Sequence, residues 1–341
     1  MKTAKPLAYW LFAVAAAVFL MALIGAVTRL TESGLSIVEW KPVSGACPPL
    51  NEAEWDNAFA LYKASPQYKM VNIGMSLEGF KQIFFWEWLH RLWGRLIGVI
   101  YFAPLAYFWI RKQIPAAAKK PLLGILALGF LQGAMGWFMV KSGLVDQPAV
   151  SHYRLAAHLA LAFVIFCSLF YMGLSFSVAR APAVKKLAPL RGMVKVTLAL
   201  AGVTMLWGAF VAGLRAGLVY NDDFPLMGKH LWPGEIFDLS PWWINFFENH
   251  AAVQFVHRVL AVLAFSQILF VAWKSASFKC PPRLEKLFAV LLVMACVQVG
   301  LGITTVMTHV NIAAATLHQA GALTLLAILT ALLYNIPGKG K

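Results

Sequence analysis

The sequence predicts an all-α integral membrane protein of eight transmembrane helices, arranged as two pseudo-symmetric four-helix bundles in a parallel repeat. Three observations predict it: a composition too apolar for water, eight apolar runs of spanning length, and a residue pattern that recurs from the first half of the chain to the second.

Hydrophobic residues make up 60% of the 341 positions and charged ones 13%, a balance that a water-soluble domain of this length could not hide. A bilayer core about 30 Å thick takes roughly 20 apolar residues per helix. Runs of that kind lie near 7–28, 83–110, 121–141, 154–178, 193–214, 250–273, 286–307 and 313–335. The first follows Lys2 and Lys5 and holds the small residues Ala13, Ala15 and Ala17, as a secretory signal would. Its length and its counterpart later in the chain favour a retained span.

A formal charge of +15 would point to nucleic acid in a soluble protein; here its distribution reports orientation instead. Cations such as Lys2, Lys5, Arg111, Lys112, Arg180, Lys185, Lys186, Arg283, Lys339 and Lys341 sit before span 1, after span 8 and between spans 2 and 3, 4 and 5, and 6 and 7. The only acid there is Glu285. The positive-inside rule makes those segments and both termini cytoplasmic, with the loops at 29–82 and 215–249 outside. Lipid is the expected partner and nucleic acid is not. Cys47, Cys167, Cys280 and Cys296 suggest no disulfide pair, so four free thiols are expected.

The repeat orders the spans. Gly25-Ala26 in span 1 precedes Gly34-Leu35 as Gly208-Ala209 in span 5 precedes Gly217-Leu218. His90-Arg91 in span 2 answers His257-Arg258 in span 6, and Gln132-Gly133-Ala134-Met135-Gly136 in span 3 answers Gln298-Val299-Gly300-Leu301-Gly302 in span 7. His158 and His318 follow in spans 4 and 8. Units with an even number of spans enter the membrane in the same direction, which gives a parallel repeat with halves 1–180 and 181–341. The small residues fit either close helix contacts or room for a flat, bulky ligand.

His90, His158, His257 and His318 are expected at matching depth, one to two turns inside the outer ends of the even spans. An imidazole in lipid is costly unless paired or bound, and a repeated set of four points to ligation. Two imidazoles on different helices of one bundle can hold a haem iron from opposite sides; zinc would need further Cys or carboxylate ligands in each half. Arg154, one turn before His158, together with Arg91 and Arg258, are candidates for the haem propionates, or else ordinary interfacial anchors.

Glu87 breaks the symmetry. It stands three residues before His90, where Gln254 stands before His257. An acid beside one site only suggests proton-coupled chemistry in the first half and electron supply or relay in the second. The rival reading pairs Glu87 with Arg91 one turn on.

Val27-Thr28-Arg29-Leu30-Thr31-Glu32-Ser33-Gly34-Leu35-Ser36, Glu87-Trp88-Leu89-His90-Arg91 and the histidines of the even spans together resemble the haem A synthase family, in its proteobacterial and mitochondrial form, over essentially the whole chain. The resemblance implies oxidation of the C8 methyl group of haem O to the formyl group of haem A, for terminal cytochrome oxidase, in a bacterial inner membrane. It implies haem b between His257 and His318, substrate haem at His90 and His158, and a catalytic Glu87. The expected route passes through a hydroxymethyl haem and its hydrated aldehyde, with Glu87 either moving a proton or stabilising a cation beside the ring. Expected partners are haem O, the farnesyltransferase that makes it, an electron donor or acceptor, and a second copy of the chain.

Some members of the family carry cysteine pairs in the outer loops; this chain has only Cys47 there, so no outer disulfide is carried over. The first outer loop, with Trp40, Pro42, Pro48, Pro49, Trp55 and Tyr62, is either a cap over the substrate side or a solvated, partner-binding loop. Two rival functions remain at this level: a di-haem b-type electron-transfer subunit, which needs the histidines but not Glu87, and a transporter, which needs no haem.

Overall fold

The computed structural model describes residues 4–40, 44–144, 148–178 and 187–336; Lys2, Pro42, Arg180, Lys185, Lys186, Lys339 and Lys341 lie outside the described residues. The helices run in the order α1 (Lys5–Leu30), α2 (Glu52–Lys63), α3 (Pro66–Met70), α4 (Leu77–Ile110), α5 (Ala116–Ser142), α6 (His152–Ser177), α7 (Ala188–Gly213), α8 (Asn245–Glu248), α9 (His250–Ser275), α10 (Pro282–Met307) and α11 (Ile312–Asn335). Among the described residues eight of them, all but α2, α3 and α8, are long and apolar enough to cross a membrane. The protein is an all-helical, multi-pass membrane protein.

Each predicted span appears, and the largest extension is at the start of α4, which begins at Leu77 rather than near 83. Free backbone N–H groups at a helix start need partners, and a polar cap carries the helix past its apolar run. Ser76 Oγ accepts from Gly79 N at 3.2 Å. Asn249 accepts from the N–H groups of Ala251 and Ala252 at the start of α9, and Asn311 does the same for Ala313 and Ala314 in α11.

The chain packs as two compact units, one of residues 16–162 and one of residues 1–15 with 163–341. In the second, Leu190 and Val194 of α7, Val271 of α9, Leu291 of α10 and Leu329 and Leu332 of α11 are wholly buried against one another. That core lies toward the starts of α7 and α10 and the ends of α9 and α11. The opposite end of the same four helices carries His257 and His318, so close packing and polar chemistry are separated along the bundle axis.

In the unit of residues 16–162 the long segment between α1 and α4 folds in part into α2 and α3, which pack on the start of α4. Phe80 is fully buried and stacks on Phe59 and Tyr62 at 5.0 and 5.2 Å between ring centroids, while Trp55 meets Phe84 edge-on at 5.0 Å. Gln67 donates from Nε2 to Glu32 O at 2.8 Å and ties α3 to the end of α1. Aromatic stacking and a few backbone-directed bonds thus make a packed layer of what the sequence left open between cap and solvated loop. Cys47, Cys167, Cys280 and Cys296 are free thiols.

Candidate functional site

The four histidines form two pairs, one within each unit. His90 on α4 and His158 on α6 lie within reach of each other's charge, as do His257 on α9 and His318 on α11. All four are half-buried. His158, His257 and His318 stand about two turns from their helix starts and His90 nearly four, because α4 starts early.

Every ring rests against a glycine of the preceding span. A Cβ at Gly25 would come within 3.1 Å of His90 Nε2, at Gly136 within 3.2 Å of His158 Cε1, at Gly208 within 3.1 Å of His257 Cε1, and at Gly302 within 2.9 Å of His318 Cε1. Close-packed interiors leave no slack for an added methyl group, so these four glycines make the space that the imidazoles occupy. Gly133 and Gly300 face nothing within 4 Å.

Hydrogen bonds meet the rings of His158, His257 and His318. His257 Nδ1 lies 3.1 Å from Thr204 O. Gln132 donates from Nε2 to His158 O at 3.1 Å and touches His158 Nε2 at 3.2 Å. Gln298 donates to His318 O at 2.9 Å and touches His318 Nδ1 at 3.2 Å. His158 Nδ1 is buried without a partner.

Glu87 is almost wholly buried, its side chain 3% exposed, and its Oε1 pairs with Arg91 Nη2 at 2.7 Å. Oε2 accepts from Ser36 Oγ and from Ile37 N, each at 2.7 Å. The pairing with Arg91 considered above is therefore present, and Glu87 also anchors the segment after α1. A carboxylate offers about four acceptor sites, so one remains, on Oε1. Gln254, equally buried, instead donates from Nε2 to Val219 O at 2.6 Å. The acid faces donors and the amide faces an acceptor, which gives the asymmetry a local electrostatic basis.

Arg91 and Arg258 occupy equivalent places. Arg91 Nη2 donates to Ile37 O and Arg258 Nη2 to Tyr220 O, both at 2.9 Å, and their second nitrogens reach Glu39 O at 3.2 Å and Leu226 O at 3.1 Å. Both arginines clamp a loop. Arg154 donates to Phe138 O at 2.7 Å with its guanidinium 3.7 Å over the Phe138 ring. Donors remain on each side chain, since guanidinium carries about five N–H groups, and Arg258 Nε is buried and unpartnered.

Among the described residues no three His, Cys, Asp or Glu side chains converge on one point. A lone imidazole pair suits a haem iron, whose equatorial ligands come from the porphyrin, and is too few for zinc. Ser36, Thr204, Gln132 and Gln298 are site residues for which sequence reasoning assigned no chemistry. For the two glutamines a signal existed, because they recur at equivalent positions of the repeat.

Comparison with known proteins adds a family. The COX15-CtaA family, described as cytochrome oxidase assembly protein, matches residues 8–330. A protein of Rhodospirillum centenum named heme A synthase is 51% identical over 328 residues, covering 95% of this chain and 87% of its own. Those of Nitrosospira multiformis and Agrobacterium fabrum, which bear the same name, are each 48% identical, over 94% and 95% of this chain and 90% and 88% of theirs.

Proposed function

The chain belongs to the COX15-CtaA family of cytochrome oxidase assembly proteins, and from that membership we propose that it acts as a haem A synthase, an oxidoreductase of the membrane that converts haem O into haem A. The C8 methyl group loses two hydrogens and gains one oxygen atom to become a formyl group; written with water as the oxygen source, the change releases four electrons to a redox partner and four protons. The observation that carries this reading is an imidazole pair in each unit, every ring seated on a glycine, with a carboxylate beside one pair only.

We assign the halves different work. Residues 181–341 hold haem b between His257 and His318, and residues 1–180 hold the substrate haem at His90 and His158. Support comes from His257, whose Nδ1 at Thr204 O leaves Nε2 with a free lone pair and a fixed ring direction, as a resident ligand needs. His158 has no such tether on Nδ1. Haem b, when bound, supplies one-electron redox chemistry. Glu87, three residues before His90, holds the segment at Ser36 and Ile37 and keeps one acceptor site on Oε1, directed by its bond to Arg91. That site serves a proton or a developing positive charge beside the methyl group. Leftover donors of Arg154, Arg91 and Arg258 are the candidates for the propionates.

The cationic segments and the bacterial relatives support an inner-membrane location with both termini in the cytoplasm. Haem O arriving from a farnesyltransferase, a separate redox partner and a second copy of the chain belong to the same reading. Extraction and identification of haems from the purified protein tests it. One firmly held haem b with variable haem O or A supports the synthase. Two permanent b haems identify an electron carrier, and no haem absorbance a transporter.

A further inference from the structure

In the Gln-x-x-x-Gly motifs of α5 and α10, Gln132 with Gly136 and Gln298 with Gly302, the glutamines have no part in the reading above. Residues four apart lie one turn apart on the same helix face, and in each motif both residues address one histidine of the next span. We propose that each motif is a cradle that sets the rotation of that histidine ring, which makes Gln132 and Gly136 positioning residues for His158, and Gln298 and Gly302 positioning residues for His318. The inference rests on reading these histidines as iron ligands.

Each glutamine is anchored before it meets the ring. Gln298 Nε2 donates to His318 O at 2.9 Å, a carbonyl fixed in α11, and from there reaches His318 Nδ1 at 3.2 Å. Gln132 makes the corresponding contacts on His158, with 3.1 Å to the carbonyl and 3.2 Å to the ring, but there it meets Nε2 where Gln298 meets Nδ1. The glycine supplies the opposite wall, since a Cβ at Gly302 would come within 2.9 Å of His318 Cε1 and one at Gly136 within 3.2 Å of His158 Cε1.

A second observation points to the bound state. The Oε1 atoms of Gln132 and Gln298 are both buried with no partner, an arrangement that costs free energy unless something fills it. A neutral imidazole bound to iron through one nitrogen carries its proton on the other. That N–H needs an acceptor, and the amide supplies one by turning over: here it presents its Nε2 donor to the ring, and bringing Oε1 to the ring N–H gives up the bond to the histidine's own carbonyl. In α11 the oxygen has its own recess, because a Cβ at Gly321 would lie 2.1 Å from Gln298 Oε1. Leu161 stands at the matching place after His158.

The test uses the purified full-length protein with its haem, read by low-spin electron paramagnetic resonance and by the haem midpoint potential. An acceptor on the remote N–H makes an axial imidazole more electron-rich. Gln298→Leu is expected to keep haem but shift the low-spin signal and raise the potential, and Gln298→Glu to lower it. Opposite shifts are what a merely structural role would not produce. Gly302→Ala is expected to convert part of the low-spin haem to high-spin as the ring is displaced. Unchanged signal and potential in both Gln298 variants, with His318→Ala abolishing the six-coordinate signal, would overturn the cradle while the ligand reading stands. A six-coordinate signal that survives His318→Ala would overturn the ligand reading and the cradle with it.

Discussion

Replacing Glu87 by glutamine keeps the side chain's size and removes an oxygen that is already in use. Three donors converge on the carboxylate at 2.7 Å: Arg91 Nη2 on Oε1, and Ser36 Oγ and Ile37 N on Oε2. An amide has one oxygen. Left toward Ser36 and Ile37, it turns its NH2 against the Arg91 guanidinium; turned the other way, it meets the Ile37 N–H donor to donor. Either orientation loses a charge-assisted bond and adds a clash. Breaking a buried ion pair costs about 3–5 kcal/mol, but Arg91 is 14% exposed and keeps its bonds to Ile37 O and Glu39 O. A loss of about 2 kcal/mol, within the range for hydrogen bonds to charged groups, is therefore expected. If the site uses that interaction in its transition state, haem O turnover falls about 30-fold. Haem O to haem A conversion in membranes carrying Glu87→Gln measures the first effect, and protease resistance of the 31–76 loop the second. Full conversion with an unchanged cleavage pattern would refute the reasoning.

Other outcomes follow from the same geometry. Gln254→Glu places a carboxylate 2.6 Å from Val219 O, acceptor against acceptor, and should loosen the 214–249 loop in hydrogen exchange; unaltered exchange would count against the proposed donor and acceptor logic. Loss of His257 or His318 should deplete haem b on purification, whereas loss of His90 or His158 should stop conversion with haem b retained. Phe80→Ala empties the fully buried centre of the α2–α3 layer at a cost of about 3–5 kcal/mol, to be read as early local unfolding of that layer. Tyr220 is pushed up to about 12, chiefly by burial and then by its bond to Glu235. Because the folded protein holds this proton more tightly than the unfolded chain, the resulting stabilisation is complete below about pH 10 and is lost as the pH rises toward 12. An alkaline transition that is the same in Tyr220→Phe would contradict it.

Much of the site is written in residue spacing. His90, His158, His257 and His318 stand out because a titratable group is rare in an apolar run, and the repeat pairs them. Glu87 and Gln254 stand out because they interrupt that repeat. The α2–α3 layer was less legible, since its cohesion comes from Phe80 packing on rings about 20 positions away in the chain, a contact with no periodic signature.

By itself the sequence determined that this is a membrane protein, how many times it crosses, and which polar side chains stand inside its apolar runs, because apolar run length and residue type are local properties that the bilayer reads directly. Tertiary structure alone decided what those side chains meet. Glycines of neighbouring spans became seats for the imidazoles, Arg91 and Arg258 became clamps on loop carbonyls, and Glu87 found Ser36 and Ile37. Such pairings depend on which helix faces are apposed and on whether a loop presents an N–H or a C=O. Both arise only when the chain is packed.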